Sequence, residues 1–154
     1  MRALLDVNVL VALLDAQHVA HARAHEWLAR SLQEGWASCP ITENGCVRVL
    51  TNPKYPAPVA AADVVAKLAT AKASGHHVFW PDDISLTDSS VFNHTQLRGH
   101  QQVTDAYLLG LAIRHGGCLV TFDSGISPAI VLGAGPENLT TIRSPGRLGP
   151  RRKS

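Results

Sequence analysis

GGCLVTFDSG, residues 116–125, decides the fold. A glycine pair stops whatever precedes it. The run CLVTF (118–122) then reads as a buried strand, and Asp123 ends it in a Gly-containing turn. Immediately upstream, residues 103–115 predict a helix. Thr104 is its expected N-cap, Leu108, Leu111 and Ala112 form its apolar face, and Gly116-Gly117 is its exit. A helix that feeds straight into a short apolar strand is the repeating element of a parallel sheet.

The rest of the chain repeats that alternation. RALL (2–5) is a strand ending at Asp6, followed by apolar residues to Leu14 that read as a short helix. Ala24, Leu28 and Leu32 recur at four-residue spacing and predict an amphipathic helix over 18–33, closed by Gly35. WASC (36–39) is the next strand, Pro40 suits a helix entrance, and Ile41 to Leu50 reads as a helix stopped before Pro53. Three prolines mark 52–58 as loop, 59–73 as helix follows, and HVFW (77–80) is a third strand. The polar stretch 82–100 leaves room for one helix near 89–96. LTTI (139–142) is the last strand. The expected fold is therefore α/β, with a mostly parallel central sheet and helices on both faces.

The chain has 154 residues, 45% hydrophobic and 17% charged, and a formal net charge of +2. That suits one globular domain, expected over 1–142. The charge is uneven. Nine basic residues face twelve acidic ones up to position 142, giving −3, while the last 12 positions hold five basic residues and no acid. Bulk attraction to nucleic acid is thus excluded for the body. The segment 143–154, with its Gly and Pro breakers, is expected to be a disordered basic tail. Cys39, Cys46 and Cys118 form no close pair and sit in apolar runs, as reduced buried thiols would. No apolar stretch reaches the length of a membrane span, and Asp6 and Asn8 spoil the first run as a signal peptide. A cytoplasmic protein is expected.

Ligands of open parallel sheets bind beyond the carboxyl ends of the strands. Asp6 and Asp123 directly follow two strands, and Glu43 and Asp105 lie in the first turns of two helices. Helix N-termini favour anions there, so each acid alone is as well explained by capping or turn chemistry. Together the four would share one edge of the sheet. Four carboxylates in one cleft repel unless a cation supplies the missing charge, and hard oxygen donors suit Mg²⁺ or Mn²⁺. In such a cluster Asp6 and Asp105 would be the most direct ligands, with Glu43 and Asp123 completing the shell or orienting the water. Asn8 and Thr121 flank the acids and could hydrogen-bond them, though capping and strand propensity explain both equally well.

The segments LLDVNVLVALL, PITENGCVRVLTNP, VTDAYLLGLAIRHGG and LVTFDSGI resemble, in order, the motifs of PIN-domain ribonucleases, in particular the VapC toxins of toxin–antitoxin pairs. The resemblance spans residues 1–142. Asp6, Glu43, Asp105 and Asp123 match the four acids of that pattern one by one. It implies a PIN-like three-layer α/β/α sandwich and Mg²⁺- or Mn²⁺-dependent cleavage of RNA by metal-activated water. It further implies neutralisation by a cognate antitoxin protein, and commonly a homodimer. A housekeeping PIN ribonuclease and a catalytically dead RNA- or partner-binding module are the alternatives. A looser likeness of LLDVN to the haloacid dehalogenase phosphatases fails, because Asn8 stands where their second acid would.

Other residues attract attention for less. His18, His21 and His25 recur on one helix at a spacing that can hold a metal, but His21 and His25 share the side of Leu28 and Leu32, which fits a covered helix face better. Arg98 and His100, before Asp105, could meet RNA phosphates, or could belong to a solvated loop. Arg48 lies off the Glu43 face, and the tryptophans read as core.

Overall fold

The computed structural model describes residues 1–144. The expected disordered tail falls, from residue 145 on, outside the described residues. Within them lie five strands and five α-helices: β1 (Ala3–Leu5), α1 (Val7–Leu14), α2 (His21–Ser31), β2 (Trp36–Ser38), α3 (Pro40–Thr51), α4 (Ala61–Lys72), β3 (His77–Phe79), α5 (Val103–Arg114), β4 (Cys118–Thr121) and β5 (Leu139–Thr141). All five strands pair in parallel, in the order β3-β2-β1-β4-β5.

Strand alternation splits the core in two. Ala3 and Leu5 of β1, Trp36 of β2, and Cys118 and Val120 of β4 point to one face, where Val9, Leu10 and Val11 of α1 and Cys46 and Leu50 of α3 cover them. Leu4, Ala37 and Leu119 point to the other face, beneath Ala106, Leu108, Leu109, Leu111 and Ala112 of α5. Strands apolar on both sides can sit only between two layers, so the short runs of the sequence dictate the three-layer sandwich. No helix among the described residues is long and apolar enough to cross a membrane.

Two local expectations are corrected. Residues 89–96 form no α-helix; the stretch carries only short 3₁₀ turns at His94–Gln96 and His100–Gln102. Its apolar residues Ile84, Leu86, Val91, Phe92 and Leu97 follow no 3.6-residue period, yet they pack over the α5 side of the sheet. Polar side chains bend the chain instead: Asp88 Oδ1 accepts from Ser90 N at 2.9 Å, and Ser85 Oγ accepts from Thr87 N at 3.2 Å. Thr104 does not cap α5 either. The preceding 3₁₀ turn runs directly into the helix, so Gln102 already has helical backbone angles and no side-chain cap forms.

The strand order has one consequence for function. From β1 the chain steps to β2 and β3 on one side, and β4 and β5 lie on the other. The connections therefore diverge between β1 and β4, which opens a crevice at the carboxyl ends of those two strands. Asp6 follows β1 and Asp123 lies just past β4, so both acids sit at that crevice.

Candidate active site

Asp6 is the N-cap of α1. Its Oδ1 accepts the Val7 N–H at 2.7 Å, and its Oδ2 accepts the Thr121 hydroxyl at 2.7 Å. The side chain is only 6% exposed. Burial raises its pKa above the ordinary carboxylate range, Asp123 adds to that, and the two hydrogen bonds oppose it. Thr121, fully buried, is the hub. Its Oγ1 donates to Asp6 and accepts from Asn8 Nδ2 at 3.3 Å and from Asp123 N at 3.0 Å. Asn8 bonds no carboxylate; its Oδ1 accepts the Phe122 N–H at 3.3 Å, which ties the start of α1 to the end of β4. Asp123 is exposed and held in a turn by the Gly125 N–H, 2.7 Å from its Oδ1.

Asp105 enters from the first turn of α5. Among the described residues no donor bonds its carboxylate. Its pKa is pushed up to about 6, first by burial and then by repulsion from Asp6 and Asp123. The three aspartates open onto one cavity of about 370 Å³, whose wall is completed by Val7 and Val11 of α1, Val49 of α3, and His18 and Tyr55. None of the three forms an ion pair with a described residue.

Glu43 lines a different hollow, so the structure gathers three of the four expected acids at this cavity. Gly45 faces α1, where a Cβ would come within 2.6 Å of Val7 Cγ2. Two residues along a helix is a rotation of about 200°, so Glu43 points away from that contact. It lines a separate hollow between α3 and α4. There Lys72 Nζ lies 2.6 Å from Oε1, and the buried Ser38 hydroxyl donates to the same oxygen at 2.6 Å. Ser38 Oγ also sits 2.7 Å from His77 Nε2. Since the hydroxyl proton goes to Glu43, His77 is the donor in that bond. Burial, with Lys72 beside it, drops the His77 pKa to about 4.

The donor chemistry of the trio fits a hard divalent cation. Three carboxylates face one hollow with no counter-charge among the described residues, and repulsion from Asp6 and Asp123 adds to burial in raising the pKa of Asp105. Among the described residues no three His, Cys, Asp or Glu side chains are already drawn tightly enough together to enclose an ion. The helical histidines do not offer an alternative. His21 and His25 bond the carbonyls of Ala12 and Leu13, at 2.7 and 3.1 Å, which pins α2 to the end of α1. His18 leaves that group: its Nδ1 accepts the Ala20 N–H at 3.0 Å and its ring lines the aspartate cavity.

Sequence reasoning missed His18, Tyr55 and Val49 as cavity residues. The spacing 7, 11, 15, 18 along one side of α1 and its exit was the available signal for His18. Tyr55 had none in the sequence, because it reaches the site by hydrogen-bonding Asp15 from a proline-rich loop. Arg98 and His100 lie together on an exposed hollow of about 440 Å³ ahead of α5.

Residues 3–129 match the PIN domain family. Ribonuclease VapC44 of Mycobacterium tuberculosis is 49% identical over 142 residues, covering 92% of this chain and 100% of the relative. Ribonuclease VapC38 of the same organism is 50% identical over 125 residues, 80% of this chain and 86% of the relative. Ribonuclease VapC39, also from that organism, is 42% identical over 134 residues, 86% of this chain and 96% of the relative.

Proposed function

This chain belongs to the PIN-domain family, and from that premise we propose that it is a divalent-metal-dependent endoribonuclease, the toxin of a toxin–antitoxin pair. The observation that carries the reading is the aspartate trio at the divergence of β1 and β4, which no cation among the described residues neutralises. Asp6, Asp105 and Asp123 are the residues that would hold Mg²⁺ or Mn²⁺. When bound, such a cation supplies Lewis-acid stabilisation of charge developing on a phosphodiester and makes a water molecule more acidic.

The protein's own part is positioning. Thr121 fixes one oxygen of Asp6 and the Val7 N–H fixes the other, so that carboxylate meets a ligand in one orientation. Among the described residues nothing bonds the Asp105 carboxylate, which leaves both its oxygens available to a cation. Val7, Val11 and Val49 give the cavity one apolar wall beside the acids. Arg98 and His100, exposed on the approach to α5, are the residues that would meet RNA phosphates on that side.

The named relatives support an RNA substrate and an antitoxin partner. The resemblance also implies a homodimer; Val65 of α4 and Val78 and Phe79 of β3 are exposed apolar side chains. A cytoplasmic site of action accords with an RNA target. The test is cleavage of total RNA by the purified chain with added Mn²⁺. Cutting should stop on chelation with EDTA and in Asp6→Asn. Cutting that persists through both would sink the metal-dependent reading.

A further inference from the structure

We propose that a cleft walled by Arg23 and Arg143, beside the Asp123 turn, is a phosphate-binding track for single-stranded RNA. This rests on the ribonuclease reading and adds a binding site to it. The cleft is about 390 Å³ and is lined by Arg23, Phe122, Ser124, Thr141, Arg143 and Ser144. Phe122 and Ser124, which line it, flank Asp123 in the chain, so the cleft lies one residue to either side of an aspartate of the cavity. It continues past Arg23 and Arg143 into a second hollow of about 260 Å³ beside Trp27 and Arg30.

The two arginines differ from the other cations around them. Arg30 is spent on Glu26, at 2.5 Å. Among the described residues neither Arg23 nor Arg143 forms an ion pair, and residues 145–154 contain no acidic side chain to supply one. Arg23 is nevertheless held in place. Its guanidinium lies 5.3 Å from the centroid of the Phe122 ring and donates to Ser144 Oγ at 3.0 Å. An oriented guanidinium with donors to spare is a phosphate ligand. The sequence after Arg143 adds Arg147, Arg151, Arg152 and Lys153 and no acid. An acidic body that must hold a polyanion beside three aspartates needs such a local cation track.

The test measures binding of a single-stranded RNA of about 12 nucleotides to the full chain in an Asp105→Asn background, across a salt series. Arg23→Ala and Arg143→Ala should each weaken binding roughly three- to tenfold and lower the salt slope by about 0.7, the value for one lost phosphate contact on a single strand. Arg23→Lys, which keeps the charge, should restore most of the slope; Arg143→Ala touches no packed ring, so it tests the track without disturbing Phe122. Cleavage of the same RNA by the wild-type chain with Mn²⁺ is run alongside. If the wild-type chain does not cut, the ribonuclease reading itself fails. If it cuts, but both alanine variants bind RNA with unchanged affinity and slope, the track alone is overturned. The track is likewise overturned if the variants lose affinity for poly-glutamate and not for RNA, because the cleft then serves an acidic peptide.

Discussion

Two acidic sites stand at the same edge of the sheet and are built in opposite ways. At the β1–β4 divergence, Asp6, Asp105 and Asp123 face a cavity with no cation among the described residues. At the carboxyl end of β2, Glu43 is neutralised by Lys72 and bonded by Ser38. A carboxylate whose one oxygen meets both a lysine and a buried hydroxyl braces α3 against α4 and β2. An unpaired group of carboxylates costs stability and persists only where something else supplies the charge. The difference separates a binding site from a brace more sharply than residue type or position in a helix does.

The largest expected effect breaks this comparison if it is wrong. Asp105→Asn should lower the rate of RNA cleavage by about 10³-fold or more, as loss of a principal metal ligand does. Glu43→Gln should leave the rate within roughly threefold and instead cost about 1 kcal/mol of stability, because the amide oxygen can still accept from Ser38 but no longer balances the charge of Lys72. Steady-state cleavage and urea unfolding of the two variants read out both quantities. A Glu43→Gln rate as low as that of Asp105→Asn would return Glu43 to the site and abolish the distinction.

A smaller effect sharpens the first half of the comparison. Thr121→Val keeps the shape of a fully buried β4 side chain but removes the hydroxyl that orients Asp6 and receives Asn8 Nδ2 and the Asp123 N–H. Affinity for Mn²⁺, measured by calorimetry, should fall roughly 10- to 100-fold, the usual consequence of losing a group that orients a metal ligand. Unchanged affinity would mean that Asp6 needs no such support.

The legibility of these features in the sequence follows the same physics. Strands buried on both sides must be apolar throughout, so RALL, WASC and CLVTF announced themselves, and with them the parallel sheet and the three layers. Asp6 and Asp123 were legible because strand ends fix position regardless of helix rotation. The side on which Glu43 stands was not legible, because a first helical turn says nothing about which face of the helix a residue takes. That side was set by Gly45, whose missing Cβ lets α3 approach Val7. The segment 82–102 was illegible for another reason: its apolar residues follow the surface they cover and not a backbone period. Tyr55 was beyond reach because a loop anchored by one long-range hydrogen bond leaves no local pattern.

The smallest expected effect is on the pH dependence of stability, where the two sites should pull in opposite directions. Asp105 titrates near pH 6 in the fold and near 4 when unfolded. Between those values the folded chain holds a proton that the unfolded chain has released. Stability from this site therefore falls as pH rises from about 4 through about 6, and the loss is complete above that window. Asp6, also raised, acts in the same sense. His77 does the reverse: at about 4 in the fold against about 6.5 unfolded, it binds fewer protons when folded, and stability rises across the same window. The wild-type profile is thus a partial cancellation. Asp105→Asn removes a falling contribution, so its melting temperature should climb more steeply with pH between 4 and 6.5 and exceed that of the wild type at neutral pH by a few degrees, given roughly 2–4 °C per kcal/mol for a domain of this size. Saturating Mn²⁺ should remove the same contribution from the wild type, since a bound cation keeps Asp105 ionised in the folded state. Parallel melting profiles for wild type and Asp105→Asn without metal would show that the three aspartates do not feel one another, and the site would lose the repulsion that marks it as a place for a cation.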